Sequence, residues 1–185
     1  MFPISIANSS QTYPGDRAES SSNLNSEAVF LYKNRMIKGT LERATGFLRG
    51  RPVQLIDLNA FLSSNRMLGS HHLGIRSVAV DQIRGSEGRS EDFDRSFNPL
   101  QDRTRSRWLN IARARLAGRE LPPVELIQIG EVHFVRDGHH RISVARALGE
   151  KYMDAEVTKW EVQPLAPASS ISCKVPRGLL AGQCV

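Results

Sequence analysis

The sequence predicts an α/β domain, a small mixed sheet with helices, that carries an N-terminal helical extension and flexible ends. Three observations predict it. The 185 residues, 40% hydrophobic and 24% charged, give length for one ordinary domain plus arms but not for a two-domain enzyme. A mean hydropathy of -0.33 places part of that length outside any core. Between residues 121 and 162, a proline-led apolar run, a Gly-X turn, a second apolar run, a helical pattern and a closing alternating run succeed one another, which is the order strand, hairpin, helix, strand.

Residues 1 to 26 are rich in Ser, Thr, Asn, Pro and Gly without apolar periodicity, so they bury too little surface to offset the entropy of ordering and read as a flexible arm. Ser26 is placed as an N-cap. From Glu27 to Leu48 the apolar residues Phe30, Ile37, Leu41, Ala44 and Leu48 mark one helical face, closed by Gly50 with Pro52 beyond. Six cations, Lys33, Arg35, Lys38, Arg43, Arg49 and Arg51, stand against the single acid Glu42 in this stretch, an excess suited to a solvated face or to contact with nucleic acid. Val53 to Leu62 is a short mixed apolar segment, and the run SSNRMLGSHHLG to Gly74 reads as a loop.

The body is expected over residues 75–163. Ile75 to Ile83 alternates as a strand, stopped by Gly85, Gly88 and a charge cluster reaching Arg95. Arg103 to Gly118 is a helix with Trp108, Ile111, Ala112, Arg115 and Leu116 on its stripe and Arg103, Arg105, Arg107, Arg113 and Arg119 facing elsewhere. Leu121-Pro122-Pro123 forces extended backbone into the strand Val124–Ile129. Gly130-Glu131 turns it back as Val132–Val135, and Asp137-Gly138 halts that strand before a helix from His139 to Leu148, capped by Gly149. Asp154 to Val162 closes the core, and residues 164–185 return to tail composition. The expected division is an arm at 1–26, a helical extension and loop at 27–74, the body, and the tail.

Function classes narrow by exclusion. No window approaches the ~18 apolar residues of a membrane span, and the start lacks a basic then apolar leader, so a cytoplasmic chain with no membrane partner is expected. Cys173 and Cys184 both fall in the tail and match no CxxC or Cys/His spacing, which makes them tail thiols rather than ligands. His133, His139 and His140 fit no metal pattern, the pair His71-His72 fits none either, and no metal ligand is assigned. Trp108 and Trp160 read as core anchors. The net charge of +6, from 25 Lys+Arg against 19 Asp+Glu, suits anionic partners.

The informative piece is Val135-Arg136-Asp137-Gly138-His139-His140-Arg141 at a strand-to-helix junction. A helix N-terminus leaves N–H groups unpaired and carries partial positive charge, so strand, glycine and helix start together make a place for a phosphate. Gly138 allows close backbone approach, His139 and His140 put ring nitrogens on the first turn, and the planar fork of Arg141 can grip a phosphate bidentately. Asp137 can cap the helix, bond a ribose or help hold a cation. The same residues also suit an ordinary turn and cap.

The run LPPVELIQIGEVHFVRDGHHRISVARALGEKYMDAEVTKWEV resembles the core of the ParB/sulfiredoxin-like superfamily, and VAVDQIRGSEGRSEDFDRSF resembles that family's first box. The resemblance implies a nucleoside triphosphate, ATP or CTP with Mg²⁺, bound by Gly138, His139, His140 and Arg141, with Arg89 as the first-box arginine and Glu125 on a strand lining the same pocket. Sulfiredoxins carry a catalytic cysteine where this chain has His139, so sulfinic acid repair is not expected. Partitioning ParB proteins continue into DNA-binding and dimerisation domains, whereas about 20 residues follow the last strand here, so that architecture is not expected either. The implied function is a ParB-like nucleotide-binding module, DNA-associated through the basic 33–51 helix. The alternative follows from the DGHHR form, which resembles the ParB-like small-molecule kinases and implies Glu87 as general base of an ATP-dependent phosphotransferase.

Overall fold

The computed structural model describes residues 14–50 and 53–165. The arm before residue 14, Arg51, and the tail with Cys173 and Cys184 lie outside the described residues. Along the chain run α1 (Pro14–Leu48), β1 (Ile56–Asp57), α2 (Leu58–Ser63), β2 (Asn65–Ala79), β3 (Ile83–Ser86), α3 (Arg105–Leu116), β4 (Val124–Ile129), β5 (Val132–Asp137), α4 (His139–Leu148) and β6 (Tyr152–Pro164). The six strands form one mixed sheet in the order β1-β3-β5-β4-β6-β2, which bears out the α/β class. No described helix is long and apolar enough to cross a membrane.

The sheet is buried on both faces. On one, Val124, Leu126, Val135, Ala155 and Val157 pack with Ile142 of α4 and with Phe93 and Phe97 of the loop after β3. On the other, Ile127, Ile129 and Phe134 meet Leu58 and Phe61 of α2. Strand alternation explains the division, since residues 124 and 126 face one way and 127 and 129 the other. A third layer lies outside α4: Ala28 and Tyr32 of α1 pack on Trp108 and Ala112 of α3 and on Val144 of α4. Tyr32 meets Trp108 edge-on at 5.4 Å between ring centroids, and the Trp108 indole N–H donates to Ser143 Oγ at 2.8 Å. Trp108 is thus a core anchor, as expected. Trp160 is only half-buried, with the Arg136 guanidinium 5.7 Å above its ring.

Three expectations are corrected. The first helix begins at Pro14, not Glu27, so residues 14–26 are helical rather than arm. Proline suits a first helical position, where its missing N–H would have no partner. Ser26 is therefore no N-cap; its hydroxyl donates back to the Ser22 carbonyl one turn earlier.

The expected apolar stripe of that helix is also its outer face. Phe30, Ile37, Leu41 and Leu48 are 62–82% exposed. The packed face is Ala28, Tyr32 and Gly39, where a Cβ added at Gly39 would lie 3.0 Å from Asn98 Cβ. Small residues let the 94–100 loop come close, so packing distance chose the face that periodicity alone did not.

Finally, the expected 63–74 loop is strand from Asn65 onward. β2 runs antiparallel to β6 from Asn65↔Pro164 to Ala79↔Tyr152, with register shifts at Met67/Gly69 and His72/Gly74. It is a solvent-facing edge, so it needs no apolar alternation, and its polar character suits an edge that must not pair further.

Candidate functional site

Gly138 is the hinge on which the site is built. It sits at φ +101, and a Cβ there would lie 2.4 Å from Val124 Cγ1, so only glycine lets the chain turn tightly off β5 into α4. The turn aims the first N–H groups of α4, those of His139, His140 and Arg141, out of the end of the helix. Ile142 N–H is the first to find a helical partner, the Gly138 carbonyl at 3.0 Å. In front lies an open cleft of about 400 Å³ whose polar wall includes Arg89, Arg107, Arg136, Asp137, His140 and Arg141.

Both histidines enter the fold neutral. His139 is buried, its ring stacked on Phe93 at 6.0 Å, with Nε2 2.7 Å from Ser86 Oγ. Ser86 Oγ also accepts the Arg89 N–H at 3.0 Å, so this hydroxyl ties the loop after β3 to the start of α4. His140 stands edge-on to Phe93 at 5.3 Å, and its Nδ1 is buried without a hydrogen-bond partner. Burial pushes the ionisation of each ring down from the ordinary 6.5 to about 4, aided by the nearby cations Arg89 and, for His140, Arg107.

The cations differ in how far they are committed. Arg141 is turned inward: its Nη1 donates to the carbonyls of Pro122 and Pro123 at 2.6 and 2.7 Å, and its Nη2 to Asp137. Both of its Nη atoms are thus engaged within the chain, at the wall of the cleft. The Pro-Pro carbonyls need a donor and the guanidinium supplies it, so Arg141 fastens β4's entry and the Asp137 carboxylate to α4. Asp137 neither caps the helix nor stands free.

Arg103 holds the buried Asp92 at 2.5 Å, while Arg89 reaches the same carboxylate only at 3.8 Å. Arg107 is exposed and has no ion pair among the described residues. The cleft therefore has two cations, Arg89 and Arg107, with little to release before meeting an anion.

The structure brings Arg89, Asp137, Gly138, His139, His140 and Arg141 together around this cleft. It leaves two expected residues aside. Glu125 is exposed on the sheet face that carries Ile127 and Ile129, away from α4, and lines no part of the cleft. Glu87 follows β3, but its carboxylate receives Arg136 Nε at 2.9 Å at the cleft edge. Ser86, Asp92, Phe93 and Arg107 complete the site and were not singled out from sequence. Ser86, Asp92 and Phe93 lie inside the first-box run, whereas Arg107 stands among the outward arginines of its helix.

Among the described residues no three His, Cys, Asp or Glu side chains converge as metal ligands. Compared with protein-family models, with curated proteins and with solved structures, the chain gives no match.

Proposed function

We propose that this chain is a ParB-like module that binds a nucleoside triphosphate at the N-terminus of α4. One observation carries the reading: the open end of α4, made by a positive-φ glycine, faces a cleft in which Arg107 is unpaired and Arg89 is held only loosely. Backbone N–H groups and two weakly committed guanidinium groups are the donors that a chain of phosphates requires, and the helix dipole adds to them. His139 and His140, being neutral, add no charge and serve as a packed wall. ATP and CTP are the candidate ligands. Mg²⁺ would travel on the phosphates, because Asp92, Asp137 and Glu87 are each engaged by an arginine.

The phosphotransferase alternative has weaker support. A general base at Glu87 would first have to part from Arg136, and nothing in the cleft draws it away. The basic α1 supports a DNA-associated role in that Lys33, Lys38, Arg43 and Arg49 are all exposed.

The test is a titration of the full chain with ATP and CTP, with and without Mg²⁺, beside the Arg107→Ala variant. Loss of one charge-assisted contact, about 1.5–3 kcal/mol, predicts roughly ten- to hundredfold weaker binding with an unchanged melting temperature. Equal affinity in a folded Arg107→Ala chain, or no binding by the wild type, refutes the reading.

A further inference from the structure

A second cavity, of about 840 Å³, lies at the opposite end of α4 and shares no residue with the cleft above. It collects Arg35 from α1, Arg84 from β3, Arg95 from the following loop, Arg146 from the last turn of α4 and Lys151 from the turn before β6. Five cations from five places in the sequence meet around one space. None of them is ion-paired among the described residues, although the ion pairs elsewhere engage Arg89, Arg103, Arg115, Arg136 and Arg141.

Their state is costly. Arg35 is half-buried, its Nε is enclosed with no hydrogen-bond partner among the described residues, and burial lowers its affinity for its proton, an effect that Asp94 and Glu42 oppose without pairing with it. A cation withdrawn from water and left unpaired is unfavourable unless an anion meets it. Arg146 is fixed instead by neutral groups. Its Nη atoms donate to the carbonyls of Val80, Ile83 and Arg95 at 2.7, 2.8 and 3.1 Å, and its guanidinium lies 4.9 Å over the Phe97 ring. It is a rigid positive group in contact with no carboxylate, although Asp81 and Asp94 are near enough to favour its charge.

The acids near the cavity are fewer than its five cations: Asp81 and Glu150 on the lining, with Asp94 and Glu42 acting on Arg35 from behind. Glu150 receives Arg115 at 2.7 Å. Behind Arg35, Asp94 accepts from Ser96 N–H, Asn98 N–H and Asn98 Nδ2 at 2.8–2.9 Å, and Glu42 accepts from Ser96 Oγ. Asp81 is the one lining carboxylate with no ion pair. The C-terminal carbonyls of α4 do not oppose an anion strongly either, because those of Ala145 and Arg146 accept from the N–H groups of Glu150 and Gly149. The remaining lining is apolar, with Ile56, Ala79, Val80 and the half-exposed ring of Tyr152.

We propose that this cavity is a second ligand site, for a small organic phosphate whose anionic group meets Arg35, Arg84, Arg95 and Lys151 and whose flat apolar body lies against Val80 and Tyr152. The volume falls within the range of small-molecule sites, and an apolar wall with a few convergent charged groups is the composition such sites have. This proposal does not depend on the nucleotide reading, since it uses other residues at the other end of α4.

Phenyl phosphate and inorganic phosphate are the probes, added to the full chain while backbone amide resonances are followed by NMR. Phenyl phosphate is expected to shift Ser96, Gly149 and Lys151 saturably, and inorganic phosphate to do so more weakly because it lacks the apolar body. Arg84→Ser with Arg95→Ser, both exposed positions, should weaken that response at least tenfold while the melting temperature holds; Lys151→Gln, in the turn before β6, should weaken it independently. Absence of a saturable shift at millimolar phenyl phosphate, shifts confined to Gly138 and His139, or equal affinity in the folded variants overturns the proposal. Failure of ATP to bind at α4's N-terminus would leave it untouched.

Discussion

Two neutral histidines at the head of α4 make the acid limb of stability predictable. In the unfolded chain His139 and His140 take up protons near 6.5, whereas in the fold each does so only near 4. Between those values the unfolded chain binds more protons than the folded one, so stability falls as pH falls, starting near 6.5 and levelling off near 4. His139 contributes at most about 3 kcal/mol when taken alone and His140, more open to solvent screening, less; together they give less than the sum because each belongs to the other's surroundings. Urea melts at pH 7.5, 6, 5 and 4.5 should show this decline, and His140→Phe, which removes an unpaired buried nitrogen, should flatten it. An equally steep decline in His140→Phe would show that other groups set the acid limit. At this same scale the sequence was legible in part. Gly138 declares itself, because a glycine between a strand and a helix has few other uses. The inward turn of Arg141 does not, because it answers the carbonyls of Pro122 and Pro123, which only the folded path of β4 brings beside it.

The elements show where pattern suffices and where packing decides. β4 and α4 keep their expected bounds, since β-branched residues after Pro-Pro and a helical run between Gly138 and Gly149 leave one reading each. α1 shows the limit. Its stripe at Phe30, Ile37, Leu41 and Leu48 has sound helical spacing yet faces water, while Tyr32 is 3% exposed. Periodicity gives the helix but not which side a neighbour will cover. β2 shows a second limit, for an edge strand paired on one side only carries no apolar signature, and its His71 and His72 reach toward Glu161 and Glu156 of β6 instead. The phase of α1 is open to a direct test. Tyr32→Ala removes a ring that packs on Trp108 and reaches Asp102 Oδ1 at 3.4 Å, and should cost about 3–5 kcal/mol of stability. Leu41→Ser, on the outer stripe, should stay within about 0.5 kcal/mol. The reverse order in denaturant melts would mean that α1 packs through its apolar stripe.

For the whole molecule the packing of α1 changes how its basic surface must be probed. Removing the helix would expose Trp108 and Ala112 and undo the third layer, so loss of DNA retention in a truncated chain would report unfolding rather than contact. Charge has to be removed with the helix left in place. Lys33, Lys38, Arg43 and Arg49 are exposed, and replacing all four by Gln keeps helix propensity and length. If each meets a phosphate, the affinity of the intact chain for duplex DNA should fall by about 0.9 log units per phosphate per log unit of salt, a combined slope near 3.6 for four. The fourfold variant should bind more weakly at low salt and lose most of that slope, with its melting temperature unchanged. Nucleotide binding should persist in it, because none of the four replaced residues lines the cleft of Arg89, Arg107 and the first turn of α4. An unaltered slope in the variant, or no DNA binding by the wild type at ~50 mM salt, would assign these cations to solvent.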